Sequence, residues 1–307
     1  MHPKRGRELF RRDVWSIGIV DQSISSFLRP HFRPRVAWLP IAVERDKFFA
    51  DPFGLKRGET LYVLCEEFDY GTSKGKIVCI EITEGLASGP RTVIEPPFHV
   101  SYPYVFEYGS DVYCVPETRQ AGEITLYRAE LFPYKWREVA TLVSNFSGVD
   151  PTVFQYQDRW WLTCADGTGS MLRLLVWHSS NPLGPWHPHA QNPVKSETRS
   201  SRPAGTPFMH DGHLYRPAQD CSKTYGGRVV LNRVVTLTPT EFEEEGAAFV
   251  DPFSNAPFPD GLHTLSAVGD ITLIDSKRTV FSRSAMKHTV ISAVAAIRSG
   301  TIYRSLR

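Results

Sequence analysis

Residues 51–67 read DPFGLKRGETLYVLCEE: an Asp51-Pro52 step, an apolar start, a polar turn at Gly58, and a strand ending in Glu66-Glu67. The plan returns as YPYVFEYGSDVYCVPE at 102–117 and as DPTVFQYQDRWWLTCA at 150–165. A fourth copy, RPAGTPFMHDGHLYRPAQD at 202–220, carries two extra residues before its closing strand. The steps at Asp51, Tyr102, Asp150 and Arg202 are 51, 48 and 52 residues apart. A strand-built unit of about 50 residues that recurs at constant spacing is the mark of a β-propeller. A sandwich with evenly spaced strands is the competing reading, but it does not explain the position-by-position match.

Working outward, each unit adds further strands: Gly75–Glu81 in the first, Glu123–Arg128 and Trp136–Leu142 in the second, Leu172–His178 in the third, Gly227–Val234 in the fourth. A less regular fifth unit spans Gly261–Ala267 and Ile271–Ser276, with Thr279–Phe281 as a further strand. The prediction is an all-β, five-bladed propeller in which Pro52, Pro103, Pro151 and Pro203 begin equivalent innermost strands. A proline at a strand start need not donate to the ladder. Val14–Val20 reads as a strand, and one strand from either terminus closing the ring by pairing with the other is the alternative to a C-terminal helix. Residues 1–13 read as a flexible basic N-terminus and 14–307 as one propeller domain, with a short C-terminal helix over 284–297.

Composition fits an ordinary globular chain: 307 residues, 41% hydrophobic and 22% charged. The 23 prolines, 22 glycines and 12% aromatic residues favour turns and strands over helices. A formal charge of +2 gives no footprint for nucleic acid, and no nucleic-acid or nucleotide-binding motif is present. Cys65, Cys114 and Cys164 recur at one strand position, which predicts buried thiols. With Cys79 and Cys221 they show no zinc or redox spacing, so five free thiols in a reducing, cytoplasmic setting are expected. Neither an export signal nor an apolar run long enough for a transmembrane segment is visible.

A ring brings one loop per blade to a common axis. The candidates are therefore the blade starts and second-strand ends. Asp51 and Asp150 precede the first-strand proline, with Tyr102 and Arg202 at the matching places. Glu66 and Glu117 each stand 14 residues after that proline, and Glu67 closes the first blade's strand. Paired carboxylates suit acid–base work on a sugar, so Asp51, Glu67, Glu117 and Asp150 are the catalytic candidates. The alternative for each is a carboxylate that accepts hydrogen bonds from a neighbouring blade. His99, Tyr102, Arg202, Gln219, Asp220, Tyr225 and His263 are the substrate-binding candidates. Arg202 offers a planar fork for an anionic group. Phe53, Tyr102 and Tyr104 are the expected aromatic faces near the mouth. Cys221 lacks an ordered Cys-His-Asn partner set, which argues against a covalent thiol mechanism. No cofactor and no metal is assigned.

Two resemblances add to this. FADPF and the motifs after it resemble the five-bladed propeller glycosidases: arabinanases, xylosidases and invertase-like enzymes. That likeness implies a base or nucleophile at Asp51, and an axial-ion role for a late-blade histidine such as His263. Their second-blade Asp would fall at Tyr102 or Ser101, and their general-acid Glu has no secure counterpart, which departs from ordinary arabinanase or xylosidase chemistry. More closely, EEFDY, HVSYPYVFE, LYRAELFPYKW, GPWHPH, RPAQDCSKTYGG and GLHT resemble the propeller domain that precedes the catalytic domain of plant glucosamine inositolphosphorylceramide transferases, a pattern shared by related stand-alone bacterial proteins. The likeness covers roughly residues 14–280. It implies glycan or glycolipid metabolism and a partner glycosyltransferase.

The leading expectation is a carbohydrate-active enzyme that hydrolyses or transfers a glycosyl unit of a glycan or glycolipid, with an anionic substrate as one form. A non-catalytic glycan-binding or scaffold module beside a separate glycosyltransferase is the second. A nucleotide-sugar transferase is the third, weakened by the lack of a nucleotide site.

Overall fold

The computed structural model describes residues 11–41, 46–166 and 172–281. Five antiparallel sheets follow one another along the chain. Blade one is built from Lys47–Arg57, Thr60–Asp69 and Lys74–Thr83, with Leu86–Ala87 and Arg91–Ile94 at its outer edge. Blade two is Ser101–Tyr108, Asp111–Glu117, Ile124–Leu131 and Lys135–Val143. Blade three is Gly148–Tyr156, Arg159–Asp166 and Arg173–Ser179, edged by His187–Pro188 and Lys195–Ser196. Blade four has a broken inner strand, Arg202–Pro203 and Phe208–His210, then His213–Asp220, Arg228–Leu237 and Phe242–Val250.

Blade five closes the ring. Leu265–Val268 and Ile271–Phe281 come from the end of the described chain, and Arg11–Val20 and Val36–Trp38 from its start. Arg11–Val20 pairs in register with Ile271–Phe281 over its whole length. Closure by a terminal strand, one of the two alternatives read from the sequence, is therefore present, and Thr279–Phe281 belongs to the strand Ile271–Phe281. Closure removes the exposed sheet edges that an open array would leave. The expected helix over 284–297, and the basic N-terminus up to residue 10, lie outside the described residues.

The proline steps differ from expectation in their place. Ala50 pairs with Glu66 and Phe53 with Leu64, so the inner strand carries one more residue than its partner. The same jump separates Ser101 from Tyr104 and Val149 from Thr152. Asp51-Pro52, Tyr102-Pro103 and Asp150-Pro151 are thus β-bulges inside their strands, not strand starts. Proline fits there because the bulge leaves one position out of the ladder. Arg202-Pro203 does begin its strand and pairs without a bulge. Blade four breaks later, at Gly205. Its φ is +123°, and a Cβ there would lie 1.8 Å from the Leu265 carbonyl oxygen. Only glycine permits this parallel contact between blades four and five.

The core lies between blades. Trp160 packs with Tyr104, Tyr113 and Val153, while its neighbour Trp161 faces Leu174, Val176 and Leu214 on the opposite side. Cys65, Cys114 and Cys164 are completely buried at their equivalent positions, and all five cysteines are free. Phe53, Tyr102 and Tyr104 also lie in the core. They are not the aromatic platform expected at the mouth, because the apolar interior of the ring encloses them. Among the described residues no helix is long and apolar enough to cross a membrane.

Candidate active site at the mouth of the ring

The first residues of the three bulges share one backbone conformation. Asp51, Tyr102 and Asp150 have φ of 53°, 46° and 53°, a left-handed conformation without glycine. Such backbone costs roughly 1–3 kcal/mol and persists only where its surroundings hold it. The holding groups are carboxylates of the preceding blade. Asp275 of blade five accepts the Asp51 N–H at 2.9 Å. Asp51 accepts the Tyr102 N–H at 3.3 Å, and Glu117 of blade two accepts the Asp150 N–H at 3.3 Å. The acids expected to do chemistry therefore also latch blade to blade.

Around Asp51 the network is dense. Thr264 donates its hydroxyl to Oδ1 at 3.0 Å, and His263 Nε2 lies 3.7 Å from the same oxygen. His263 Nδ1 sits 2.7 Å from Asp275 Oδ2, and Trp15 stacks on the imidazole with centroids 3.8 Å apart. Burial pushes the Asp51 carboxyl up to about 6, with His263 pulling it down and Asp275 and Asp150 adding to the rise. For His263 burial disfavours the cation, but Asp275 and Asp51 outweigh it and raise the imidazole above its ordinary value.

Asp150 is held by the Arg202 fork, through Nε to Oδ2 and through Nη2 to Oδ1 at 3.2 Å. Gln219 donates to Asp150 Oδ2 at 2.7 Å. Arg202 lies over the ring of Tyr225, 5.0 Å from its centroid, and Tyr225 meets His263 edge-on at 5.3 Å. Tyr225 is 43% exposed, which makes it the aromatic face open at this mouth. Burial and the nearby Asp150 push Glu117 up to about 8. Burial likewise raises Glu66 well above the carboxylate range, with Asp51 and Glu117 as the next causes. His99 sits at the edge, its Nδ1 accepting the Gly75 N–H at 2.8 Å, and burial lowers its basicity.

Asp51, Glu117, Asp150, Arg202, Gln219 and His263 thus come together, with Tyr225 and His99 beside them. Three candidates are occupied elsewhere. Glu67 points to the opposite face of its strand from Glu66, between Lys47 at 3.5 Å and Lys76 at 3.6 Å. Strand alternation forces one of two adjacent residues outward, and it is Glu66 that joins the cluster. Asp220 accepts from Ser222 and Arg228 in its own loop. Tyr102 is fully buried, with its hydroxyl 3.0 Å from Thr152 Oγ1 and accepting the Gly205 N–H at 2.7 Å. It ties blades two, three and four together and has no face for a ligand.

Sequence reasoning missed Asp275, Thr264 and Trp15. Asp275 stands on the second strand of blade five, as Glu117 and Gln219 do in theirs, so the repeat register could have found it. Trp15 carried no signal, because it reaches the site only through ring closure.

Asp51, His263 and Asp275 form the one group among the described residues whose ligand atoms, all within 4.8 Å of one another, could hold a metal ion. The donor set fits poorly. Asp275 Oδ1 already accepts the N–H groups of His263 and Thr264, and Oδ2 takes those of Asp51 and the His263 ring. An ion would have to displace these bonds.

The family model described as glucosamine inositolphosphorylceramide transferase 1, N-terminal, matches residues 39–252. The chain belongs to this family. The transferase of that name from Oryza sativa subsp. japonica is 36% identical over 208 residues, 64% of this chain and 27% of that protein. The Arabidopsis thaliana protein is 35% identical over 210 residues, with 66% and 27% covered. The chain therefore spans about a quarter of the length of these relatives. Among solved structures, a family 117 glycoside hydrolase of Zobellia galactanivorans superposes with a TM-score of 0.55 at 12% identity, covering 88% of this chain and 91% of that one. The Bombyx mori GH32 β-fructofuranosidase BmSUC1 gives 0.51 at 12%, covering 82% and 57%. At such identities these likenesses show the shared five-bladed fold.

Proposed function

We propose that this propeller is a carbohydrate-active enzyme that hydrolyses or transfers a glycosyl unit of a glycan or glycolipid. The observation that carries this is a pair of buried carboxyls on adjacent blades whose environments set them apart. Burial pushes Asp51 up to about 6 and pushes Glu117 further, to about 8, with Asp150 adding to the rise. At neutral pH the first is chiefly a carboxylate and the second chiefly an acid, the two states that glycosyl chemistry requires. Asp51 is the base or nucleophile and Glu117 the general acid. Asp150, held by Arg202 and Gln219, braces the site, with Tyr225 as the sugar-facing ring and His99 as a rim donor.

The test is turnover and affinity measured together on a panel of glycans and glycolipids. Asp51→Asn and Glu117→Gln should each lower turnover about 10²–10⁴-fold while glycan affinity stays within a few-fold. Unchanged turnover in both variants overturns the assignment.

A binding module is the second reading, favoured by how fully the mouth acids serve the blade-to-blade latch. In that case the propeller presents a glycan to a separate glycosyltransferase in the cytoplasm. Binding without turnover by the unaltered protein, together with co-purification of such an enzyme, distinguishes it. On either reading residues 14–307 work as one unit.

A further inference from the structure

Lys277 is 1% exposed, on the strand Ile271–Phe281. A buried ammonium is costly unless its three protons find acceptors. All three do. Nζ donates to Asp13 Oδ2 at 2.7 Å, to the Tyr225 carbonyl oxygen at 2.6 Å and to Thr224 Oγ1 at 3.3 Å. Asp13 stands on the strand Arg11–Val20 that closes the ring, and its Oδ1 accepts the Thr279 hydroxyl at 2.7 Å. Holding the two strands together requires only the contact with Asp13. The other two protons go to a different blade, to the loop of residues 221–227 that carries Tyr225.

That loop joins His213–Asp220 to Arg228–Leu237, and Ser222, Lys223, Thr224 and Tyr225 are exposed. Its ends are tied down. The Cys221 N–H reaches the Thr198 carbonyl at 3.0 Å, and the Gly226 carbonyl accepts the Leu262 N–H at 2.9 Å. Gly226, at φ +57°, lies so close to Trp15 that a Cβ would sit 2.5 Å from its Cη2. Between these ties, Lys277 is the one side chain among the described residues that donates to the main chain of Tyr225. The Tyr225 ring is held more loosely. Its hydroxyl takes Arg202 Nη2 at 3.4 Å, and its edge contacts with His263 and Trp15 have centroids 5.3 Å and 6.1 Å apart.

We propose that Lys277 is a positioning residue for the mouth: its grip on the Tyr225 carbonyl sets the Tyr225 ring over Arg202, and its pairing with Asp13 makes that setting depend on closure of the ring. This rests on the reading of Tyr225 as the sugar-facing ring. A hydrogen bond from a charged donor contributes more than a neutral one, and here it falls on a loop with little else to fix its middle. The first and last strands of the described chain thereby fix a side chain that neither of them carries.

Two readouts on the full chain test this without any sugar. Cys221 is the half-exposed thiol and lies in the same loop, so its labelling by an aromatic disulfide reagent reports loop opening. Lys277→Met should speed that labelling at least about tenfold. The second readout is the Arg202 Nε–H resonance, which carries the ring current of Tyr225 and is identified by its loss in Arg202→Lys. Lys277→Met should move it toward its position in Tyr225→Leu. Asp13→Asn should move both readouts in the same direction and by less. Both readouts unchanged in Lys277→Met overturn the proposal, and where that variant does not fold, both unchanged in Asp13→Asn do so. Faster labelling that only follows a lower global stability, with the Arg202 signal unmoved, overturns it too and leaves Lys277 a ring-closing residue. If the Arg202 signal moves while binding of the variant to an oligosaccharide array matches that of the unaltered protein, the positioning by Lys277 stands and the sugar-facing role of Tyr225 falls.

Discussion

His263 Nδ1 lies 2.7 Å from Asp275 Oδ2, and this contact decides which imidazole nitrogen faces Asp51. Asp275 also accepts three backbone N–H groups, from Asp51, His263 and Thr264. One carboxylate thus positions the candidate base, its histidine neighbour and the bulge of blade one. Asp275→Asn should destabilise the fold by about 3–5 kcal/mol, the usual cost of removing one member of a buried pair. Chemical denaturation with matched m-values measures this, and a loss below about 1 kcal/mol would contradict the role.

The mouth acids predict an unusual pH dependence. Glu117 rises from 4.5 to about 8 and Asp51 from 3.8 to about 6. Across those windows the folded chain binds more protons than the unfolded one, so stability falls as pH rises. The contribution of each group is full below its unfolded value and is lost as pH passes its folded value. His263, also raised, acts in the same direction. Stability should decline from pH 5 to pH 8, at no more than about 1.4 kcal/mol per pH step for each group. Thermal unfolding across this range should show it, and Glu117→Gln should flatten the upper part.

Tyr102→Phe isolates the hydroxyl that joins three blades. The Gly205 N–H would lose its acceptor inside the ring. A buried unsatisfied donor costs roughly 1–3 kcal/mol. We expect that loss in stability while glycan affinity is unchanged, since Tyr102 is fully buried. Weakened glycan binding at unchanged stability would instead return Tyr102 to the site.

Thiol titration should find five free cysteines after unfolding and at most Cys221 reactive in the folded protein. Cys65, Cys79, Cys114 and Cys164 are buried, and burial raises each thiol. A disulfide detected under native conditions would contradict this.

Much of the site was legible because a propeller is a repeat. Once Asp51, Tyr102, Asp150 and Arg202 align, their convergence on one axis follows from topology. What spacing did not separate was Glu66 from Glu67. Both lie on the same strand, Thr60–Asp69, and only the pairing register says which faces inward. Likewise Tyr102 aligns with Asp51 and shares its left-handed backbone, yet its longer side chain runs into the core, where Thr152 and Gly205 meet its hydroxyl.

The sequence by itself determined the blade count, the turn positions and the burial of the repeated cysteines. Those follow from local alternation and from a period that each unit reports independently. The tertiary structure alone decided that the first three x-Pro steps are bulges, that Asp275, Asp51 and Glu117 each hold the backbone of the next blade, and that Trp15 stacks on His263. Those contacts join residues about 30 to more than 240 positions apart. No local pattern encodes them, because they form only when neighbouring blades pack side by side, and the Trp15 and Asp275 contacts only once the first strand of the described chain pairs with the last.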